Sequence, residues 1–331
     1  MGGKPGPVWV LAEGREGQIL SVSLELIGKA RTLADELEVP VGALIFGNGL
    51  ADQVQFLVHA GADRIYLGND PDFDPYQSEV FSEAIFQLVQ VHEPQILLIG
   101  STFMGRELAP ILAARLETGL TAHCVDLLLD ENGILEQHIP AYGGLMTITC
   151  PQRRPQMATV ARGVFPMPSL DKSHQGEIVQ VEPPKGIKIR VKTLEIVRQE
   201  PEGVPLDSAS IVVAGGAGAG SLQGWDEIVE LGSVLNAAIG STRPVVDEGW
   251  TTLDTMIGQS GKMVNPELYI GIGLSGEQQH MVGIVGAKLM VAINNDPKSP
   301  VFEQVDLGVV EDCRTFVPIL IRTIKEYVLQ S

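Results

Sequence analysis

Basic residues are scarce in this chain. Lys and Arg number 23 against 41 Asp and Glu, a formal charge of −18 over 331 residues. That balance argues against nucleic acid, because phosphate contacts need a basic face. It suits partners that present basic patches, since complementary fields speed encounter. Any anionic ligand must then be held by local donors against an unfavourable overall field. Cysteine is equally scarce. Cys124, Cys150 and Cys313 are widely spaced, odd in number and without a CxxC pair. They supply no zinc or iron–sulfur motif and fit a reducing, cytoplasmic setting. No apolar run reaches the roughly 18 residues of a membrane span, so no membrane insertion is expected. The start, Met1-Gly2-Gly3-Lys4-Pro5-Gly6, lacks the apolar core of a signal peptide and the Ser or Thr of a myristoylation signal. There is no GxxxxGK followed by Ser or Thr, which disfavours phosphoryl transfer on a phosphate loop.

What the chain does have is alternation. Strand-like Val8–Ala12, Val41–Phe46, Arg64–Leu67 and Gln95–Ile99 are separated by helix-like Ser23–Leu37, Gln53–Ala60 and Ser78–Val91, and helix-like Gly105–Leu116 follows. In the last of these helices Leu108, Ile111, Leu112 and Leu116 recur at helical spacing. Such alternation predicts a mostly parallel sheet with helices on both faces. Leu127 to Ile148 reads instead as short antiparallel strands with turns at Glu131-Asn132-Gly133 and Gly143-Gly144. From His174 to Pro205 the chain is rich in Pro and Gly, with one alternating strand expected at Ile187–Val191. A new sheet starts at Ser210-Ile211-Val212-Val213, and Glu311–Leu329 reads as a closing helix. The expected organisation is two doubly wound α/β domains: 1–190, a connecting segment 191–209, and 210–331.

The second half carries the chemistry. Strand Leu268–Ile272 ends in glycines, a helix is expected to begin near Ser275, and strand Leu289–Ile293 ends in polar Asn294 and Asp296. Carboxyl ends of strands and the starts of following helices form the ligand crevice of an open α/β sheet. Backbone N–H groups there can hold phosphate without a cation. Gly215-Gly216-Ala217-Gly218-Ala219-Gly220-Ser221 also links strand to helix, but from Gly216 the third glycine of a dinucleotide fingerprint falls on Ser221. A general phosphate-cradling or tight strand-to-helix turn is the better reading, and a stand-alone NAD-dependent dehydrogenase is disfavoured. His280 is the one histidine in the Ser275–His280 turn, whereas His59, His92, His123, His138 and His174 have no ligand spacing among themselves. No metal site is expected.

Read in order, Gly215-Gly216, Thr242-Arg243 with Val246-Asp247, Gly258-Gln259-Ser260-Gly261-Lys262, Pro266-Glu267-Leu268-Tyr269, Ser275-Gly276 with Gln279-His280, Ala292-Ile293-Asn294 and Val310-Glu311-Asp312 closely resemble the alpha subunit of electron-transfer flavoproteins. Gly105-Arg106-Glu107-Leu108-Ala109-Pro110 and Tyr142-Gly143-Gly144 extend the resemblance, more weakly, into the first half. The resemblance implies one FAD, held chiefly by the C-terminal domain, and a beta subunit that docks on the N-terminal one. It implies Ser260 near flavin N5, Arg243 over the ring, and His280 as a charge-assisted donor near the C2 carbonyl and N1 edge. It further implies that Gly258, Gln259, Ser260 and the run Ser275, Gly276, Glu277, Gln278, Gln279, His280 hold ribityl and pyrophosphate. Asn294 and Asp312 would take the adenosine end, with Gly216, Thr242, Ile257 and Cys313 completing the cofactor-binding set.

Some positions depart from the family pattern. Ala214 and Ala217 stand where Ser and Arg are common, Ser260 replaces Thr, Thr242 replaces Ser, and Glu277-Gln278 replaces a less acidic pair. The implied role is an electron carrier, not a stand-alone enzyme. It would accept electrons from acyl-CoA or related dehydrogenases and pass them to a quinone oxidoreductase or other acceptor. An alternative is a bifurcating complex using NADH and ferredoxin, with a second FAD in the beta subunit where a simple carrier holds AMP. An unrelated alternative is a non-redox nucleotide-binding module.

Overall fold

A computed structural model of the protein describes residues 5–15, 17–141, 144–197, 203–206, 209–284 and 286–328. Met1–Lys4, Tyr142-Gly143, residues 198–202 and 207–208 of the connecting segment, and Leu329 lie outside the described residues. Two compact units divide the chain, Met1–Val197 and Arg198–Ser331.

The first unit runs β1 (Val8–Ala12), a small hairpin β2 (Gly14–Arg15) and β3 (Gln18–Ile19), α1 (Ser21–Leu37), β4 (Val41–Gly47), α2 (Val54–His59), β5 (Arg64–Asn69), α3 (Ser78–His92), β6 (Ile96–Gly100) and α4 (Phe103–Arg115). It continues through β7 (Leu120–Cys124), β8 (Asp126–Leu129), β9 (Leu135–Ala141), β10 (Gly144–Ile148), β11 (Gln156–Val160) and β12 (Glu177–Gln180). Seven strands pair in parallel in the order β12-β5-β4-β1-β6-β11-β7. Their side chains alternate between two cores. Val8, Val10 and Ala12 join α1 and α2, while Trp9 and Leu11 join α3 and α4. A strand buried on both faces needs apolar residues throughout, which is why these segments read as continuous apolar runs. Strands β8, β9 and β10 form the separate antiparallel sheet expected for Leu127–Ile148.

One expected strand is absent. Ile187–Val191 has no ladder; the edge of this sheet is taken ten residues earlier, by β12 on β5. The apolar alternation is not realised there either: Ile187 packs on the core, whereas Ile189 and Val191, which a strand would place on the same face, are exposed. Pro183-Pro184 intervene, and proline cannot donate to a ladder.

The second unit runs β13 (Ile211–Gly215), α5 (Leu222–Val234), β14 (Ala238–Ser241), α6 (Arg243–Asp247), β15 (Leu268–Ile272), α7 (Gln278–Met281), β16 (Leu289–Asn294), β17 (Leu307–Val310) and α8 (Cys313–Val328). Its five strands are all parallel, in the order β14-β13-β15-β16-β17. From β13 the chain steps outward to β14, then returns to the other side of β13 as β15. The order therefore reverses between β13 and β15, the place where open α/β sheets bind ligands. Helices α5 and α8 cover one face through Ile228, Leu231, Val317 and Ile321. The opposite face is covered by connecting segments, through Ile257, Val264, Leu274 and Val301. The helix expected near Ser275 is shorter and later, four residues from Gln278, because residues 274–277 are held as an irregular turn. Among the described residues no helix is long and apolar enough to cross a membrane.

The first sheet also places a buried acid at its own reversal, after β1. The Glu13 carboxyl accepts from Thr102 Oγ1 at 2.7 and 2.8 Å, and burial pushes its pKa up to about 7. A carboxyl with a raised folded pKa stabilises the fold below its unfolded value and loses that contribution as pH climbs through the folded value. Glu13 should therefore remove up to about 3 kcal/mol between about pH 4.5 and pH 7. Glu13→Gln should flatten that decline relative to wild type, as measured by urea unfolding midpoints on either side of this window.

Candidate functional site

At the reversal between β13 and β15 two turns touch backbone to backbone. Gly216 N–H donates to Ile272 O and Gly218 N–H to Gly273 O, both at 2.8 Å. A Cβ on Gly216 would stand 2.3 Å from Gly273 O, and one on Gly218 2.6 Å from the same atom. Only glycine fits. The glycine run is thus a tight strand-to-helix junction, and the first turn of α8 closes on it through Cys313 Sγ, which donates to Gly218 O at 3.3 Å.

The next segment is held by its carbonyls. Leu274 O accepts from Asn294 Nδ2 at 2.9 Å, and Ser275 O from Val301 N–H at 3.0 Å and Ser299 Oγ at 3.2 Å. Gly276 O accepts from Gln304 Nε2 at 2.8 Å, and Glu277 O from the His280 and Met281 amides at 2.9 and 3.1 Å. Gly276 turns with φ +83°, and a Cβ there would lie 2.5 Å from Val301 Cα. Among the described residues, none accepts a hydrogen bond from the Ser275, Gly276 or Glu277 N–H. Three consecutive amides with their carbonyls tied back into the protein form a nest suited to an anion. Ser275, Glu277, Gln278 and Gln279 are exposed beside it.

A second loop is stapled to this one. Ile257 N–H donates to Ser241 O at 3.0 Å, Gln259 N–H to Gln279 O at 2.7 Å, and Lys262 N–H to Met256 O at 2.7 Å, leaving Gln259 and Ser260 exposed and Gly258 buried. His280 locks the two loops. It is buried, with Nδ1 3.1 Å from Ile257 O and Nε2 2.7 Å from Tyr269 Oη. A carbonyl only accepts, so Nδ1 carries the proton, and Nε2 of the neutral ring then accepts a hydrogen bond from the tyrosine hydroxyl. Burial lowers its pKa to about 4, against the opposing bond to Ile257. In a desolvated pocket the imidazole is neutral near pH 7, because the charged form loses more solvation than one backbone contact returns.

Thr242 and Arg243 stand at the end of neighbouring β14, with Thr242 N–H on Gly215 O at 3.0 Å. Arg243 is exposed, and its Nε donates to Asp247 Oδ1 at 2.8 Å. Two expected ligand side chains are committed to the protein. Asn294 spends Nδ2 on Leu274 O and Ser299 and Oδ1 on Asp296 N–H at 2.9 Å, so it braces the turn from behind. Asp312 binds Arg314 at 2.6 Å and receives its N–H at 3.0 Å. Residues that carried no expected role prove structural to the site: Tyr269, Gly218, Gly273, Ser299, Gln304 and Asp247. The glycines stood inside conspicuous clusters, whereas nothing local marked Gln304 or the Tyr269 hydroxyl.

The nest depends on Gly276. Gly276→Ala forces a side chain into a left-handed backbone and against Val301, and should cost about 2–5 kcal/mol. Urea unfolding of the full chain measures it, and loss of the site ahead of global unfolding would show in near-ultraviolet circular dichroism.

Comparison with known proteins agrees in both units. A family model described as "Electron transfer flavoprotein domain" matches residues 8–185, and one described as "Electron transfer flavoprotein FAD-binding domain" matches residues 205–285. The chain is 41% identical over 322 residues to the electron transfer flavoprotein subunit alpha of Thermoanaerobacterium thermosaccharolyticum, covering 96% of this chain and 98% of that one. It is 39% identical over 325 residues to Protein FixB of Clostridium saccharobutylicum, covering 97% of each, and 39% identical over 321 residues to Protein FixB of Rhizobium meliloti, covering 95% and 91%. With its two parallel sheets, its glycine-built crevice and relatives matched almost end to end, the chain belongs to the electron transfer flavoprotein alpha-subunit family, which includes the FixB proteins.

Proposed function

We propose that this protein is the alpha subunit of a cytoplasmic, heterodimeric electron carrier. Its C-terminal domain (210–331) binds one FAD and its N-terminal domain (1–190) docks a beta subunit. It takes electrons from an acyl-CoA or related dehydrogenase and passes them to a quinone oxidoreductase or similar acceptor. The observation that carries this reading is the free amide run Ser275–Glu277, which lies inside the segment matched by the FAD-binding family model. The residues fit the group. A diphosphate needs donors, and on a chain of net charge −18 the amides provide them without cationic side chains.

Bound FAD supplies reversible one- and two-electron chemistry; the protein supplies binding, orientation and electrostatics. Ser275, Gly276 and Glu277 would receive the pyrophosphate through their N–H groups, with Asn294, Ser299 and Gln304 fixing the carbonyl side of that turn. Gly258, Gln259 and Ser260 would line the ribityl and N5 side, the Ser260 hydroxyl offering a hydrogen bond. His280, with Nδ1–H on Ile257 O and Nε2 held by Tyr269 Oη, would form a neutral, rigid wall on the pyrimidine side. Arg243 keeps its charge at every working pH and can lie flat on an aromatic ring. Its partner Asp247 is exposed, so the pair can open to let the guanidinium reach a ligand.

Co-expression with a beta-type subunit should yield a yellow heterodimer with one FAD per complex. A colourless protein that takes up no FAD would overturn the reading, and two FAD per complex would favour the bifurcating alternative. Arg243→Ala should lower the one-electron potentials while leaving FAD affinity nearly unchanged. A tenfold change in the one-electron equilibrium corresponds to about 59 mV. Spectroelectrochemistry alongside FAD dissociation separates the roles: large FAD loss at unchanged potentials would make Arg243 an anchor.

A further inference from the structure

Tyr269 is wholly buried in β15, and its hydroxyl meets one side chain, the His280 Nε2 atom at 2.7 Å. On the other edge of the imidazole, Nδ1 lies 3.1 Å from Ile257 O. The ring is therefore clamped between a strand and the loop that begins Gly258-Gln259-Ser260. The carbonyl fixes the proton on Nδ1, and among the described residues the phenol is the one group placed to satisfy Nε2. Burial also pushes the phenol far above its usual range, so its proton stays on oxygen and is available to donate.

We propose that Tyr269 is a positioning residue for His280: its hydroxyl donates to Nε2 of the Nδ1–H tautomer that the Ile257 carbonyl selects, and so fixes the plane of the ring. Through that ring it also holds the Ile257 carbonyl, and with it the start of the Gly258–Lys262 loop, against α7. This deepens the flavin reading and rests on it only for its redox consequence. Without the hydroxyl, Nε2 becomes a desolvated acceptor with no donor, and the Nε2–H tautomer competes only by giving up the bond to Ile257. The Nδ1–H tautomer persists on Ile257 O, but the ring has lost its second anchor and can tilt in its pocket.

Tyr269→Phe keeps the buried ring and removes the donor. In the FAD-loaded heterodimer with histidine-selective nitrogen labelling, wild-type His280 should show a protonated Nδ1 and an unprotonated, hydrogen-bonded Nε2. Tyr269→Phe should keep Nδ1 protonated but move the Nε2 resonance to that of an acceptor without a donor. It should also shift the one-electron potentials by up to about tenfold in equilibrium constant, some 59 mV. In a His280→Ala background the same change should have no further effect. Fluorotyrosine at 269, isosteric and a stronger donor, should keep Nε2 hydrogen-bonded and shift its resonance further from the Tyr269→Phe value. Wild-type nitrogen signals in Tyr269→Phe, or an Nε2 signal indifferent to fluorotyrosine where Tyr269→Phe fails to fold, would overturn the proposal and leave Tyr269 a packing residue. Potentials unmoved by His280→Ala with FAD still bound would instead remove His280 from flavin tuning, while the Nε2 signal still judges Tyr269.

Discussion

The C-terminal unit depends on one close approach, the contact of Gly216 and Gly218 with Gly273 at the sheet reversal. Two strand-to-helix turns pass there with no room for a Cβ, and each donates or accepts main-chain hydrogen bonds across the gap. Any side chain would separate the carboxyl ends of β13 and β15, which position everything beyond them. The segment 274–277 follows directly from β15, α6 from β14, and Asn294 from β16. Cys313 adds the start of α8 to the same junction through Gly218 O. A rigid floor of this kind lets polar groups above it stay free, because the geometry does not rely on them.

Electrostatics explain why the site uses amides. The chain carries a strong negative charge, and the common cationic position in the first glycine turn is Ala217 here. A side-chain cation near the crevice would meet many acids, as Arg243 meets Asp247 and Arg314 meets Asp312. Backbone N–H groups cannot be neutralised by an ion pair. Tying the carbonyls of residues 274–277 to Asn294, Ser299, Gln304, Val301 and the α7 amides orients the peptide dipoles at no cost in net charge.

The buried imidazole shows the opposite use of burial. In water a histidine between a phenol and a carbonyl would exchange protons freely; inside this core it is held to one neutral state. Low dielectric makes each of its two hydrogen bonds stronger and a missing partner costlier. Such a group responds steeply to any new charge placed beside it.

Much of the fold was legible in the residues. Val8–Ala12 and Leu268–Ile272 read as strands of the observed length because a doubly covered parallel strand admits only apolar residues. The clustered glycines and polar turn residues marked the right end of the right sheet. Ile187–Val191 misled, since its alternating pattern finds no open edge: Glu177–Gln180 already pairs with β5, and Ile189 and Val191 stay exposed. The helix expected at Ser275 misled likewise, because its turn is held by side chains from residues 294–304, outside any local window. The amino-acid sequence by itself determined the alternating α/β architecture and the segments that supply the crevice, since both follow from periodicity and turn chemistry. Only the tertiary structure decided that Asn294 braces the turn, that Arg243 is paired to Asp247, and that His280 is neutral and held by Tyr269, because hydrogen-bond partners and desolvation are properties of neighbours brought together by the fold.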